Sequence, residues 1–220
     1  MVLSNKFHQA IEVAFNLHKD QIRKTSGIPY IGHLLAVAAI VLDYGGTEIE
    51  AIAAILHDAI EDQGGKKTQR LIQDVFGDEV ASIVEGCSDT DEIPKPPWGA
   101  RKRKYIDHVA KATPSMILVS AADKLHNCRM ILKDFREIGN RSFDHFKGGR
   151  EGTLWYYRSL IIALRQRSYQ NGLPNDEEFV FPDETKKLID ELERTYHMLF
   201  CLTETFYPLD YYKMTDEAWK

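Results

Sequence analysis

Three places along the chain put metal-binding side chains inside apolar sequence. His33 opens the stretch HLLAVAAIVL, His57 and Asp58 stand side by side within AIAAILHDAI, and Asp123 interrupts ILVSAADKL. A buried carboxylate is costly without a strong partner, so Asp58 and Asp123 each need one. A divalent cation held by all four residues would satisfy both carboxylates. Two nitrogen and two oxygen ligands favour manganese, iron or zinc over calcium.

Each of these residues also has an ordinary structural interpretation. A lone buried histidine is more often a hydrogen-bonded core residue than a metal ligand, and Asp123 can pair with Lys124 or Arg129 instead. No single residue of the four therefore establishes a metal site. The interpretation depends on their joint pattern.

The helix that carries the histidine-aspartate pair also places two more carboxylates. The pattern predicts one helix through AIAAILHDAIED, with Glu61 four residues after His57 and Asp62 four residues after Asp58. Both carboxylates would then lie one turn beyond the metal ligands, where they can orient or deprotonate a water molecule or hold an imidazole. Acidic groups at a helix C-terminus are mildly unfavourable, so their presence there suggests a function.

Helical periodicity extends along the whole chain, and no alternation typical of strands is found. The apolar stretch after His33 predicts a central buried helix, and a proline-rich segment near residues 88–100 predicts a surface loop. The predicted helix starts are an N-cap at Ser4, a capping box at Thr47 and Glu50, a cap at Thr68, and Thr113 followed by proline.

Composition sets the class of protein. The chain has 220 residues and a net charge of −5, which suits one domain and argues against a nucleic-acid polymer as partner. No apolar run is long enough to span a membrane, the N-terminus lacks the apolar core of a signal peptide, and the three cysteines are widely spaced. We therefore expect a cytoplasmic, all-α protein forming a single domain over residues 1–220.

The order and spacing of the motifs resemble a known family. The segments HKDQIRKTSGIPYIGHLLAVAAIV, AAILHDAIED, FGDEVASIVEG and LVSAADKLHN are similar to the HD superfamily of metal-dependent phosphohydrolases, and specifically to the hydrolase domain of the RelA/SpoT alarmone enzymes. The similarity covers about residues 5–135, and the lack of a synthetase-like segment indicates the stand-alone small alarmone hydrolases. It implies an all-α HD fold that removes pyrophosphate from the 3′ position of guanosine 3′,5′-bis(diphosphate) (ppGpp), leaving GDP.

The resemblance also implies a role for each motif position. It implies one divalent ion, typically manganese, and an acidic pair that poises the attacking water. Further motif positions, RK and DKLHN, lie against a small anionic nucleotide. The implied site is His33, His57, Asp58 and Asp123 for the metal, Glu61 and Asp62 for catalysis, and Arg23, Lys24, Lys124 and Asn127 for the substrate.

The sequence leaves the roles of several residues open. Met130 replaces a threonine that contacts the nucleotide in the long bifunctional enzymes, so the choice between guanine and adenine is open. His126 has the spacing of a fifth ligand, although the family pattern makes it a supporting residue. The basic run RKRK at residues 101–104 can reach the phosphates or form a solvated helix face. An HD enzyme acting on another nucleotide and a non-catalytic nucleotide-binding module are the alternative functions.

The C-terminal part is expected to pack on this core. Helices are predicted over residues 150–203, and GGREGTLWYYRSL is similar to the C-terminal helix of bacterial stand-alone members. An aromatic tail follows, which can cover a helix face or a partner subunit, so an oligomer is possible. Its aromatic residues are Phe206, Tyr207, Tyr211, Tyr212 and Trp219.

Overall fold

The computed structural model describes residues 2–23, 25–90, 94–169 and 181–206. Over these ranges the chain forms α-helices joined by short loops and contains no sheet, which confirms the all-α prediction. The helices are α1 (Asn5–His18), α2 (Ile31–Asp43), α3 (Glu48–Leu56), α4 (Ala59–Asp62), α5 (Lys66–Phe76), α6 (Asp78–Cys87), α7 (Trp98–Val109), α8 (Pro114–Ile138), α9 (Gly149–Tyr169) and α10 (Asp183–Phe206), with a 3₁₀ helix over Gly139–Phe143.

Three helices form the centre of the molecule. Helices α2 and α3 pack against each other, and both contact the long helix α8. Val37 of α2, Leu56 of α3 and Leu125 of α8 are fully buried between them. Each such side chain contributes about 1.5–3 kcal/mol of hydrophobic stabilisation. His33 lies on α2, Asp123 lies on α8, and His57 and Asp58 follow directly after α3, so the core packing also sets the positions of the candidate site.

Three of the predicted helix starts are confirmed. The Ser4 hydroxyl accepts a hydrogen bond from the backbone N–H of Lys6, 3.1 Å away. Thr47 and Glu50 make both hydrogen bonds of a capping box at the start of α3. The Thr113 hydroxyl caps α8. Each cap satisfies a backbone donor that would otherwise lack a partner at the helix N-terminus.

The predicted cap at Thr68 is wrong. Helix α5 begins two residues earlier, at Lys66, and Thr68 lies inside it with its hydroxyl donating to the backbone carbonyl of Gln63. Gly64 and Gly65 make the turn before α5, and both have positive φ angles, which glycine adopts without strain. The glycine pair therefore sets the start of this helix.

The helix predicted through AIAAILHDAIED is two helices. Helix α3 ends at Leu56, α4 begins at Ala59, and His57 and Asp58 form the turn between them. The His57 Nδ1 atom lies 2.7 Å from the carbonyl oxygen of Ala54, so the imidazole binds a carbonyl at the end of α3. The backbone N–H of Asp62 donates to the carbonyl of Asp58 at 2.9 Å, which keeps the acidic pair one turn beyond the histidine-aspartate pair.

The C-terminal helices cover the other side of α8. Helix α10 packs along both α8 and α9, and α9 contacts α7. Helix α10 continues to Phe206, beyond the predicted end near residue 203. Tail residues 207–220 lie outside the described residues, as does Lys24. Among the helices in the described ranges, none combines the length and the apolar character needed to cross a membrane.

Candidate metal centre and substrate cleft

The four predicted metal ligands meet where α2, α8 and the turn between α3 and α4 converge. His33 lies in the first turn of α2, and Asp123 lies near the middle of α8. The His33 Nε2 atom is 3.3 Å from Asp123 Oδ1 and 3.6 Å from Asp58 Oδ2. The His57 Nε2 atom is 3.1 Å from Asp58 Oδ2 and 3.6 Å from Asp123 Oδ1.

These four side chains fit a divalent cation. Both Nε2 atoms are fully buried and make no hydrogen bond. One ligand atom each from His33, His57 and Asp58 lies within 4.8 Å of the others, and Asp123 adds a second carboxylate. Buried polar atoms are normally paired, so two unpaired imidazole nitrogens facing two carboxylates indicate a missing positive partner. Two imidazoles and two carboxylates form a donor set suited to a divalent metal ion.

The Nδ1 atom of each imidazole makes a contact that orients its Nε2 atom towards the candidate metal site. The carbonyl of Ala54 can only accept, so His57 Nδ1 donates to it and Nε2 is the nitrogen available to a cation. The Nδ1 atoms of His33 and His126 are 2.8 Å apart. Burial, together with His33 and Arg23, lowers the pKa of His126 to about 4, so His126 is a neutral acceptor for His33. His126 thus orients a candidate ligand.

A tyrosine supports the Asp58 carboxylate. The Tyr30 hydroxyl donates to Asp58 Oδ2 at 2.5 Å, and the Tyr30 ring stacks on His18 with ring centres 5.7 Å apart. Burial and the neighbouring Asp58 raise the pKa of Tyr30, so it remains a protonated donor. Burial works to raise the pKa of Asp58, but His57 and His33 hold it well below its usual value. Asp58 is therefore ionised and able to bind a cation.

Asp123 pairs with Lys124, as the structural alternative predicts, and it also faces the two histidines of the candidate metal site. Its Oδ2 atom forms an ion pair with Lys124, while its Oδ1 atom faces the two histidines. Arg129 pairs with Glu191 instead, at 3.2 Å. Oδ1 also accepts a hydrogen bond from Asn127 Nδ2 at 2.5 Å. Asp123 can therefore pair with Lys124 through Oδ2 and still offer Oδ1 to a metal ion.

Asn127 connects the candidate metal ligand to Arg23. The Arg23 Nη2 atom donates to Asn127 Oδ1 at 2.8 Å, and Asn127 in turn donates to Asp123. Two backbone hydrogen bonds hold Arg23 in place: its own N–H donates to the carbonyl of Ile28, and the N–H of Tyr30 donates to the carbonyl of Gln21. The predicted substrate residues Arg23 and Asn127 therefore lie in one chain of hydrogen bonds that ends at the metal centre.

The acidic pair lines the same cavity as Asp58 and Asp123. Glu61 accepts hydrogen bonds from Lys95 Nζ at 2.8 Å and from the backbone N–H of Asp89 at 3.1 Å. Asp62 accepts one from Gln21 at 2.9 Å. Burial and the nearby Asp58 raise the pKa of Asp62. Glu61 is thus held by a neighbouring loop, and Asp62 is a stronger base than an ordinary aspartate.

The basic run at residues 101–104 divides between two surfaces. Arg101 and Lys102 pair with Asp89 and line the metal cavity, together with Lys95 and Lys124. Lys104 lines a separate cavity beside α6. Half of the run therefore faces the candidate site, where cations suit an anionic ligand.

An aromatic compartment adjoins the metal cavity. It has a volume of about 250 Å³ and shares Trp98, Tyr156 and Asn127 with the metal cavity as common wall residues. Met130 lines this compartment and not the metal cavity. A Cβ atom at Gly148 would lie 2.7 Å from the Trp98 ring, so this glycine lets the indole pack into place. The cleft thus has a metal-binding end and an aromatic end.

Several residues of the cleft were not predicted. Tyr30 lies in the segment GIPYIGH, but no spacing rule shows that it reaches Asp58. Asp89 and Lys95 belong to the proline-rich loop, where no periodicity indicates which side chains turn inward. His145, which has no predicted role, also lines the metal cavity. Lys24 lies outside the described residues, so its predicted contact stays a prediction.

An all-α fold with a buried histidine-aspartate cluster at its centre defines the class, and comparisons with known proteins agree with it. The sequence profile described as HD domain matches residues 10–152. The guanosine-3′,5′-bis(diphosphate) 3′-pyrophosphohydrolase MESH1 of Homo sapiens is 36% identical over 176 residues, which cover 75% of this chain and 94% of that protein. The chain therefore belongs to the HD domain family, and within it to the family of the MESH1 proteins.

Other relatives are longer or more distant. A probable GTP pyrophosphokinase of Mycobacterium leprae is 39% identical over 123 residues, but these residues cover 55% of this chain and only 15% of that protein. A solved structure, described as a metazoan ortholog of SpoT that hydrolyzes ppGpp and plays a role in starvation responses, covers 90% of this chain and 99% of its own. Its TM-score of 0.69 at 23% identity shows a shared fold.

Proposed function

We propose that this protein is a metal-dependent phosphohydrolase that converts ppGpp to GDP and pyrophosphate. The observation that carries the proposal is the cluster of two unpaired imidazole nitrogens with two carboxylates, where the carboxylates line one cavity together with five cationic side chains. Those cations are Lys95, Arg101, Lys102, Lys124 and Lys147. The name of the human relative supports the choice of substrate.

We assign His33, His57, Asp58 and Asp123 as the ligands of one divalent ion, and manganese as that ion. The two carboxylates suit manganese, and the resemblance to the RelA/SpoT hydrolases favours it over iron and zinc. When bound, the ion would lower the pKa of water and offset the charge that builds on the phosphoryl oxygens. Tyr30, His126 and the carbonyl of Ala54 hold the ligands in orientation.

The two residues of the acidic pair, Glu61 and Asp62, have different roles in the proposed reaction. A water oxygen bonds to the phosphorus attached to the ribose 3′-oxygen, the bond between that phosphorus and the 3′-oxygen breaks, and the 3′-oxygen takes up the proton that Asp62 receives from the water. Asp62 receives the proton of the attacking water, since burial and Asp58 raise its pKa and strengthen it as a base. Glu61 positions Lys95 through their 2.8 Å ion pair.

The cationic side chains bind the substrate's phosphates. Lys95, Lys102 and Lys124 donate charge-assisted hydrogen bonds to the phosphate oxygens, exchanging part of their present contacts with carboxylates. Arg23, Lys24 and Asn127 hold the nucleoside. The partner is thus a small anionic nucleotide, and we place the reaction in the cytoplasm, with which the free thiols of the three cysteines agree.

The test is direct incubation of the purified protein with ppGpp and Mn²⁺, followed by separate quantification of pyrophosphate and GDP. We expect equimolar products, and loss of both when a chelator removes the metal. Release of inorganic phosphate alone would indicate a different phosphohydrolase. Nucleotide binding without any product would indicate a non-catalytic module.

A further inference from the structure

Asp134 lines the aromatic compartment with an unpaired carboxylate. Its side chain is partly buried, and it forms no ion pair or side-chain hydrogen bond with the part of the chain that the structure describes. Other charged residues of the same helix do have ionic partners. Asp123 pairs with Lys124, and Lys133 lies 4.0 Å from Glu137. A carboxylate facing an aromatic cavity without a partner has its full accepting capacity left for a ligand.

Helix α8 places this carboxylate at the far end of the cleft from the metal centre. Asp123, Asn127, Met130 and Asp134 follow one another at four, three and four residues, which is one face of a helix. The offset of eleven residues between Asp123 and Asp134 corresponds to about 16 Å along the helix axis. That separation exceeds the Debye length of about 8 Å at physiological salt, so Asp134 repels phosphates at the metal end only weakly.

The chemistry of the compartment indicates what it binds. Trp98, Phe146 and Tyr156 offer aromatic faces on which a planar base can stack. Arg23 lines the same compartment, and its Nη1 atom is buried without a hydrogen-bond partner. The compartment therefore combines a free acceptor at Asp134 with a free donor at Arg23.

We propose that Asp134 selects guanine by accepting hydrogen bonds from N1–H and the 2-amino group of the base. The inference rests on the proposed function, which places a nucleotide in the cleft. Guanine presents two adjacent donors on its Watson–Crick edge, and an ionised carboxylate with two oxygens can accept both. Adenine presents an acceptor nitrogen at N1, which a carboxylate repels. Met130, one turn before Asp134 on the same face of α8, has no strong donor or acceptor with which to discriminate the bases, and Asn127 already bonds to Arg23 and Asp123.

The test compares substrates with three different bases in the wild-type protein and in two variants. Steady-state kcat/KM is measured for ppGpp and for its hypoxanthine and adenine counterparts, with wild type, Asp134→Asn and the control Glu137→Gln. Glu137 lies on the same helix, is exposed and is not among the residues lining the compartment. We expect wild type to prefer guanine over adenine, and the Asn variant to lose about 10- to 100-fold in kcat/KM for guanine. Hypoxanthine lacks the 2-amino group and should fall between the other two bases in wild type.

Binding separates this inference from the proposed reaction. Titration calorimetry with GDP, IDP and ADP measures base selectivity even if no substrate is hydrolysed. A guanine preference that disappears in Asp134→Asn and persists in Glu137→Gln supports the assignment, with or without catalysis. An equal guanine-to-adenine ratio in wild type and Asp134→Asn, in kcat/KM and in binding, would overturn it.

Discussion

Removal of the Tyr30 hydroxyl tests how the protein holds its metal ligands. In Tyr30→Phe the ring and its stacking on His18 remain, and only the 2.5 Å hydrogen bond to Asp58 is lost. A hydrogen bond to a charged group contributes about 1.5–3 kcal/mol. At 1.4 kcal/mol per factor of ten, this predicts a loss of about 10- to 100-fold in Mn²⁺ affinity. In other proteins, mutation of a group that orients a metal ligand lowers metal affinity or activity by about 10- to 100-fold.

The assay is titration calorimetry of the metal-free protein with Mn²⁺, with circular dichroism to verify the fold. Tyr44→Phe is the matched control, since Tyr44 caps the other end of α2 and does not line the metal cavity. At saturating Mn²⁺ we expect Tyr30→Phe to recover most of its kcat, because the hydroxyl acts on the metal ligand. An unchanged Mn²⁺ affinity in a folded Tyr30→Phe protein would refute this reasoning.

Two further predictions concern the aromatic wall and the effect of pH. Gly148→Ala forces the Trp98 ring to shift, so we expect a several-fold higher KM for ppGpp with unchanged Mn²⁺ affinity; an unchanged KM would contradict the role of this wall. Burial works to lower the pKa of His57, but Asp58 and Asp123 raise it well above its usual value, so Nε2 carries a proton at neutral pH in the metal-free protein. A cation must displace that proton, so calorimetry should show Mn²⁺ affinity falling as the pH decreases below this raised pKa, and an affinity independent of pH would argue against His57 as a ligand.

The sequence predicts the elements better than it predicts their contacts. Helical spacing and caps such as Ser4 and Thr113 are local signals, and the helices follow them. The turn at His57 and Asp58 has no such signal, because both flanking stretches have helical periodicity. At this turn the His57 imidazole contacts the Ala54 carbonyl, and the orientation of the imidazole depends on the tertiary structure.

In the candidate site too, the sequence predicts residues with local signals and misses contacts between distant segments. His33, His57, Asp58 and Asp123 can be predicted as partners because a charged residue in apolar sequence requires one. The groups that support them come from segments distant along the chain, which no spacing rule connects. Lys95 reaches Glu61 across 34 residues, and Arg23 reaches Asn127 across 104. Such contacts depend on how α4, α7 and α8 pack.

The most direct measurement is the anomalous scattering of manganese in a crystal of the protein grown with Mn²⁺. We predict one strong peak per chain, coordinated by His33 Nε2, His57 Nε2 and oxygens of Asp58 and Asp123, and no peak there in a folded Asp58→Ala variant. No peak at this cluster in the wild-type protein, or a fully retained peak in Asp58→Ala, would contradict the assignment of these residues as the metal centre.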